Sequence, residues 1–205
     1  MELVTFVADD GTYRAGRVEG DEIVSLDAPS VREVLEAPDW RATAADTDGP
    51  RVLLGTATLA PVVPNPSKIV CVGVNYRDHI EEMGREVPGF PTYFAKYARA
   101  LVGPRGDLVL PAADVTTHVD WEVELAIVIG APARNVSGED AQAAIAGYTV
   151  LNDVSIRDWQ RRTSQFLAGK TFEGLTPLGP GLVTSDVLGD GSGLALSTSV
   201  NGVVK

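Results

Sequence analysis

The chain has 205 residues and a mass of 21.6 kDa, enough for one large domain or a main domain with a small appendage, and enough to bury a core without a disulfide or a structural metal. A hydrophobic share of 44% with 22% charged residues excludes a disordered chain. Seventeen Lys and Arg against 28 Asp and Glu leave a formal charge of −11, which argues against nucleic acid or an anionic membrane as partner and means that an anionic substrate must be met by a local positive site, such as a metal.

A single cysteine, Cys71, cannot form an internal disulfide and points to a cytoplasmic protein. It reads as a small core residue in the apolar run Ile69–Val74. No apolar stretch approaches the roughly 20 residues of a membrane span, and Met1-Glu2-Leu3-Val4 lacks the basic region of a signal peptide.

In chain order, Leu3–Ala8, Tyr13–Val18 and Ile23–Leu26 read as strands of a small β unit with a turn at Asp9-Asp10-Gly11. Val31–Glu36 reads as a helix. The stretch Ala37–Pro66, rich in Ala, Thr, Asp, Gly and Pro, reads as linker and places a boundary near residue 60, giving a small β-rich domain over 1–60 and a main domain over 61–205. Beyond it, strands are expected at Lys68–Val74, Thr92–Lys96, Asp107–Leu110, Trp121–Ile129, Tyr148–Ser155, Gly181–Val183 and Leu194–Val200. Helices are expected at Tyr76–Gly84 and from a Ser137 cap to about Ala146, with Gly147 as the stop. Many short strands with few short helices indicate a mainly β (α+β) fold rather than alternating βαβ units.

The run Trp121-Glu122-Val123-Glu124-Leu125-Ala126-Ile127-Val128-Ile129 alternates with period two, so Glu122 and Glu124 share a strand face about 7 Å apart. A solvated second face is one reading. The other is a shared cation, because the same face continues as apolar Ala126 and Val128, where carboxylates are costly unless something positive meets them. Asp153, in an expected strand where Asp is depleted, is either a turn-forming residue or a third ligand. Three carboxylates without His or Cys suit Mg²⁺, Mn²⁺ or Ca²⁺ better than Zn²⁺.

His79 and Glu82 stand i, i+3 on the expected helix and read either as a surface ion pair or as a base whose partner raises its basicity and orients it to activate water. His118 has no partner pattern and reads as exposed. Gly169-Lys170-Thr171 fails as a phosphate loop because position 164 is Ser, and Gly189-Asp190-Gly191-Ser192-Gly193 lacks the strand-to-helix context of a dinucleotide loop. Lys170, Arg157, Arg161 and Arg162 would ordinarily be solvated, yet Arg157 and Gln160 follow Asp153 closely enough to reach the same site.

Four segments in order, Lys68-Ile69-Val70-Cys71-Val72-Gly73-Val74-Asn75-Tyr76-Arg77-Asp78-His79, Glu122 through Gly130, Asn152-Asp153-Val154-Ser155 with Arg157-Asp158, and Ala168-Gly169-Lys170-Thr171-Phe172, resemble the fumarylacetoacetate hydrolase family from about residue 60 onward. The resemblance implies a β-roll, usually dimeric, behind a small variable N-terminal domain. It implies that Glu122, Glu124 and Asp153 bind Mg²⁺ or Mn²⁺, that His79 and Glu82 form a water-activating dyad on a mobile lid, and that Lys170 and Gln160 face the substrate; Arg157, by its spacing from Asp153, is expected with them among the substrate-binding residues. Family members usually continue past a motif such as Asn201-Gly202-Val203-Val204-Lys205, so the chain is expected to lack the family's last strands.

The expected activity is metal-dependent hydrolysis of a C–C bond in an acylpyruvate-type diketo acid: water activated by His79–Glu82 attacks the distal carbonyl, and the leaving enolate is stabilised by the cation and Lys170. Isomerisation of 2-hydroxy-diene dioates or decarboxylation of oxaloacetate, which need the same enolate but no attacking water, is the alternative. A non-catalytic metal-stabilised binding or scaffold protein is the alternative of another class. The expected partners are a small 2-keto acid and a second copy of the chain.

Overall fold

The computed structural model describes residues 1–205. Its N-terminal part holds β1 (Glu2–Val7), β2 (Tyr13–Glu19), β3 (Glu22–Ser25), α1 (Val31–Glu36), α2 (Trp40–Asp46) and β4 (Arg51–Leu53). Next come β5 (Ile69–Gly73), α3 (Arg77–Glu82), β6 (Thr92–Lys96), β7 (Leu101–Val102), β8 (Val119–Asp120), β9 (Val123–Ile129), α4 (Gly138–Ala143) and β10 (Ile145–Asn152). The chain ends with β11 (Ser155–Ile156), α5 (Arg157–Gln160), α6 (Leu167–Lys170), β12 (Thr176–Pro177), β13 (Leu182–Thr184), α7 (Ser185–Leu188) and the hairpin β14 (Ser199–Val200)–β15 (Val203–Val204). The fold is mainly β, as the short strands and few helices foretold. No helix is long and apolar enough to cross a membrane.

One seven-stranded sheet, in the order β4-β3-β2-β1-β13-β10-β9, organises the molecule. It runs through residue 60: β1 pairs with β2 on one side and with β13 on the other. The weak alternation of Leu3–Ala8 follows from that central position. Leu3 joins the larger core cluster under α1 and α2, while Val4 and Phe6 join Ile23 and Leu59 on the opposite face, so both faces are dry. Between them the Thr5 hydroxyl accepts from Val31 N and donates to the Val62 carbonyl, tying β1 to α1 and to the segment that follows β4.

Several expectations need correction. The stretch 37–66 is not linker: Trp40 and Ala44 of α2 and then Val62 and Val63 sit in the larger core cluster, where packing overrides a composition rich in small and polar residues. Asp107–Leu110 is irregular, with Val109 almost fully exposed and no strand beside it. Leu194–Val200 narrows to the two residues of β14. The helix begun at Ser137 stops at Ala143, because Ile145 already pairs with Ile129 across β9 and β10.

Gly147 therefore ends no helix. It lies within β10, where a Cβ would stand 2.2 Å from the Val183 carbonyl oxygen, so only glycine lets β13 approach. Asp153 lies just past β10, although its N–H continues the ladder by donating to the Glu122 carbonyl at 2.8 Å.

Candidate active site

The site forms where β9 begins and β10 ends. The β9–β10 register sets Leu151 opposite Glu124 and Asn152 opposite Val123, and the Asn152 side-chain oxygen accepts from Glu122 N at 3.1 Å. The face that carries Glu122 and Glu124 continues as Ala126 and Val128, which pack on the core, whereas Ile127 and Ile129 on the other face are more than half exposed. The glutamates thus stand on the inner face of the strand, and the purely solvated reading fails.

Cations meet them there. Lys170 Nζ donates to Glu122 Oε2 at 2.6 Å and to Asp153 Oδ2 at 2.7 Å, with its side chain 2% exposed. The solvated reading of Lys170 fails because α6 presses it inward. Gly169, beside it, leaves no room for a Cβ against the Gln160 backbone, 2.4 Å away from where that atom would lie. Lys96, at the end of β6, donates from Nζ to Asp153 Oδ1 at 2.7 Å and is completely buried. Arg157 pairs with Glu122 Oε1 at 2.6 Å and Asp120 Oδ2 at 2.7 Å, and its Nη1 donates to Gln160 Oε1 at 3.0 Å. The Arg157 guanidinium therefore braces the acids, and its grip on Gln160 Oε1 leaves the Gln160 amide N–H₂ as the free polar end of that side chain.

Glu124 alone of the three predicted ligands makes no ion pair of its own. Burial, opposed by a hydrogen bond from the Tyr76 hydroxyl, holds its carboxyl above the usual glutamate range, and the charges of Glu122 and Asp153 push the same way. Tyr76 also accepts from Leu125 N at 3.0 Å, and burial pushes its hydroxyl up to about 12. Burial likewise pushes the Cys71 thiol up to about 12, so at neutral pH this half-buried residue is a thiol and not a nucleophile.

His79 Nδ1 and Glu82 Oε2 lie 3.2 Å apart on α3, both exposed. They line the same cleft as Glu122, Glu124, Asp153, Arg157, Gln160 and Lys170. Its volume, about 2680 Å³, exceeds the roughly 300–1,000 Å³ of a closed small-molecule pocket, so the site opens onto a trough. The His118 side chain is exposed, and its backbone serves the structure: the N–H donates to the Thr116 hydroxyl at 3.0 Å and the carbonyl accepts from Arg157 N at 2.9 Å.

The residues present fit a hard divalent cation by donor type and charge: all three candidate ligands are carboxylates, and one of them, half-buried Glu124, stands near the other two with no ion pair of its own. In this arrangement Glu122 and Asp153 are turned onto Lys170, Lys96 and Arg157, and no three acidic, His or Cys side chains enclose a single ion position.

Sequence reasoning missed Lys96 and Tyr76. Lys96 had a signal: it alternates in phase with the inward-facing Phe94, whose ring lies 5.1 Å from Lys170 Nζ and packs edge-on against Phe166. Tyr76 had none, because nothing in a helix-start tyrosine announces a hydroxyl that spans two atoms of another strand.

The family model for the fumarylacetoacetate hydrolase C-terminal domain matches residues 68–205. The chain belongs to the fumarylacetoacetate hydrolase family. The human protein named oxaloacetate tautomerase FAHD2A, mitochondrial, is 49% identical over 148 residues, which is 71% of this chain and 46% of that protein. The chain spans about half the length of the curated mammalian relatives it matches. Among solved structures, the 2-hydroxyhepta-2,4-diene-1,7-dioate isomerase of Mycobacterium marinum matches with a TM-score of 0.74 and 31% identity, over 100% of this chain and 73% of its own. The maleylpyruvate hydrolase of Sphingobium sp. SYK-6, solved with manganese(II) and pyruvate, matches with a TM-score of 0.71 and 31% identity, over 92% of this chain and 69% of its own. Isomerases and hydrolases of this family thus share the fold.

Proposed function

We propose that the protein is an isomerase of 2-keto dicarboxylates that interconverts the keto and enol forms of oxaloacetate, and that it works with Mg²⁺ or Mn²⁺ held by Glu122, Glu124 and Asp153. The observation that carries this reading is that a histidine–carboxylate pair and a buried lysine seated on two carboxylates line one cleft. The identity to oxaloacetate tautomerases supports it over the C–C hydrolysis expected from the sequence motifs.

With Glu82 accepting from Nδ1–H, His79 presents Nε2 as the base. His79 takes a proton from C3 of the keto acid, Glu82 stabilises the imidazolium, and the Lys170 ammonium donates a hydrogen bond to the C2 oxygen as negative charge develops there. Return of the proton from the His79 imidazolium to that oxygen gives the enol: the C2=O π bond is exchanged for a C2=C3 π bond, and no σ bond to carbon other than C–H is broken. The Gln160 amide is placed to orient a substrate carboxylate. When bound, the divalent cation would supply further polarisation of the 2-keto acid oxygens.

His79→Ala should lower the enol–keto rate by about 10²–10⁴-fold in the full-length protein, followed by the ultraviolet absorbance of the enol, with KM changing less than kcat. A rate within threefold of wild type would remove His79 from the reaction. Turnover of an acylpyruvate in the same assay would favour the hydrolase instead, the reading for which the manganese- and pyruvate-bound maleylpyruvate hydrolase speaks.

We also assign α3 and the turn after it as a lid. Apart from buried Ile80 they are largely exposed, they are interrupted by Gly84 at φ +63° and by Pro88 and Gly89, and Phe90 is 87% exposed, so a single apolar side chain of α3 anchors them. Hydrogen exchange over 76–90 should slow at least several-fold when oxalate binds with Mg²⁺; equal exchange in both states rules the lid out.

A further inference from the structure

We propose that Lys96 is a positioning residue that fixes the Asp153 carboxylate from behind, so that Asp153 presents a set orientation to a divalent cation. This rests on the reading of Asp153 as a ligand. Lys96 is completely buried, its Nζ donates to Asp153 Oδ1 at 2.7 Å, and Asp153 is the one carboxylate it pairs with. It does not line the cleft; Lys170, which holds the other oxygen, does.

Charge balance alone does not account for this lysine. The Lys170 ammonium already bridges Asp153 and Glu122, and a buried ion pair is usually no more stabilising than well-packed apolar side chains of similar volume. A second ammonium does remove freedom. With Oδ1 held by Lys96, Oδ2 held by Lys170 and the backbone N–H held by the Glu122 carbonyl, the carboxylate has one orientation. Groups in this outer position orient ligands and tune their affinity. Lys96 also closes the β5–β6 hairpin, pairing with Ile69, and β5 leads directly into the segment that bears Tyr76 and His79. The hairpin that roots the base is thereby docked onto the end of β10.

A counter-charge and a positioning group predict opposite signs. Removing a mere counter-charge leaves the site more negative, so a cation binds more tightly; removing a positioning group loosens a ligand, so it binds more weakly. Mn²⁺ binding to the full-length protein, read from the electron paramagnetic resonance of free Mn²⁺, separates them. Lys96→Met should weaken Mn²⁺ binding by about 10–100-fold. Lys96→Gln, equally uncharged but retaining an N–H donor, should restore most of that loss.

Unchanged or tighter binding by Lys96→Met overturns the proposal. Should Lys96→Met fail to fold, Lys96→Gln decides: tighter binding than wild type overturns the proposal, and equal or weaker binding supports it. A folded wild type that takes up no Mn²⁺ removes the ligand reading of Asp153, and this inference with it. Binding by wild type together with the wrong sign in the variants removes only the role given to Lys96.

Discussion

Lys170→Met is expected to lower oxaloacetate tautomerisation by about 10²–10³-fold, the usual cost of deleting one preorganised donor to a developing oxyanion. Methionine retains much of the aliphatic stem and removes the ammonium that lies 5.1 Å from the Phe94 ring centroid, so the loss isolates the charge. Two carboxylate oxygens, Glu122 Oε2 and Asp153 Oδ2, would lose that partner. Breaking a buried pair costs about 3–5 kcal/mol when it strands a charge. Here Glu122 keeps Arg157 and Asp153 keeps Lys96, so the destabilisation should fall below that range. The rate of enol decay and a thermal melt on the same full-length preparation measure both effects. A rate within threefold of wild type with a normal melt would leave Lys170 as a structural ion-pair partner and remove it from the reaction.

The contrast between Lys170 and Arg157 shows what the sequence could convey about the site. Both were placed near Asp153 by spacing and resemblance, and both arrive there. Which partners each one meets is set largely by residues distant in the chain: Arg157 is turned onto Asp120 and Glu122, and Lys170, pressed inward by α6, bridges Glu122 and Asp153. Period-two reading put Glu122 and Glu124 on one face, and the apolar Ala126 and Val128 told that this face turns inward, because alternation is a local backbone property. The phase of β6 marks Lys96 as inward-facing, but the carboxylate it meets is 57 residues away, and no local pattern names a partner at that span.

The same distinction holds for the fold. Asp9-Asp10-Gly11 turns as expected because its chemistry is local: Asp10 Oδ1 accepts from Thr12 N at 2.9 Å, and Gly11 takes φ +80°. Ser30 caps α1 by accepting from Arg32 N at 3.2 Å, for the same kind of reason. Misreadings concentrate where distant packing decides. The stretch 37–66 contributes Trp40, Val62 and Val63 to a core whose other members come from both ends of the chain. Gly147 reads as a helix stop until β13 is seen against it. Helix and strand boundaries around 143–147 then follow from the β9–β10 register and not from propensity.

Glu124→Gln should abolish divalent-cation binding and at the same time stabilise the cation-free protein at neutral pH. Affinity for Mg²⁺ by calorimetry should fall by more than the roughly 10–100-fold cost of disturbing an outer-shell partner, because the ligand itself is lost. The stability effect has a fixed sign. Burial, reinforced by Glu122 and Asp153, raises the Glu124 carboxyl in the folded state, so the folded protein binds this proton more readily than the unfolded chain does. Its contribution to stability is therefore fully present below the unfolded glutamate value of about 4.3 and is lost as pH rises through the raised folded value. Glutamine imitates the protonated form and can still accept from the Tyr76 hydroxyl. At pH 7–8 without metal, the variant should melt above wild type. The two melts should converge as pH falls below about 4, where wild-type Glu124 is protonated in both states. Saturating Mg²⁺ at neutral pH should reverse the order, since only wild type gains from binding. Parallel melts at every pH, together with an equal Mg²⁺ shift in both proteins, would show that Glu124 neither carries an uncompensated charge nor holds the cation.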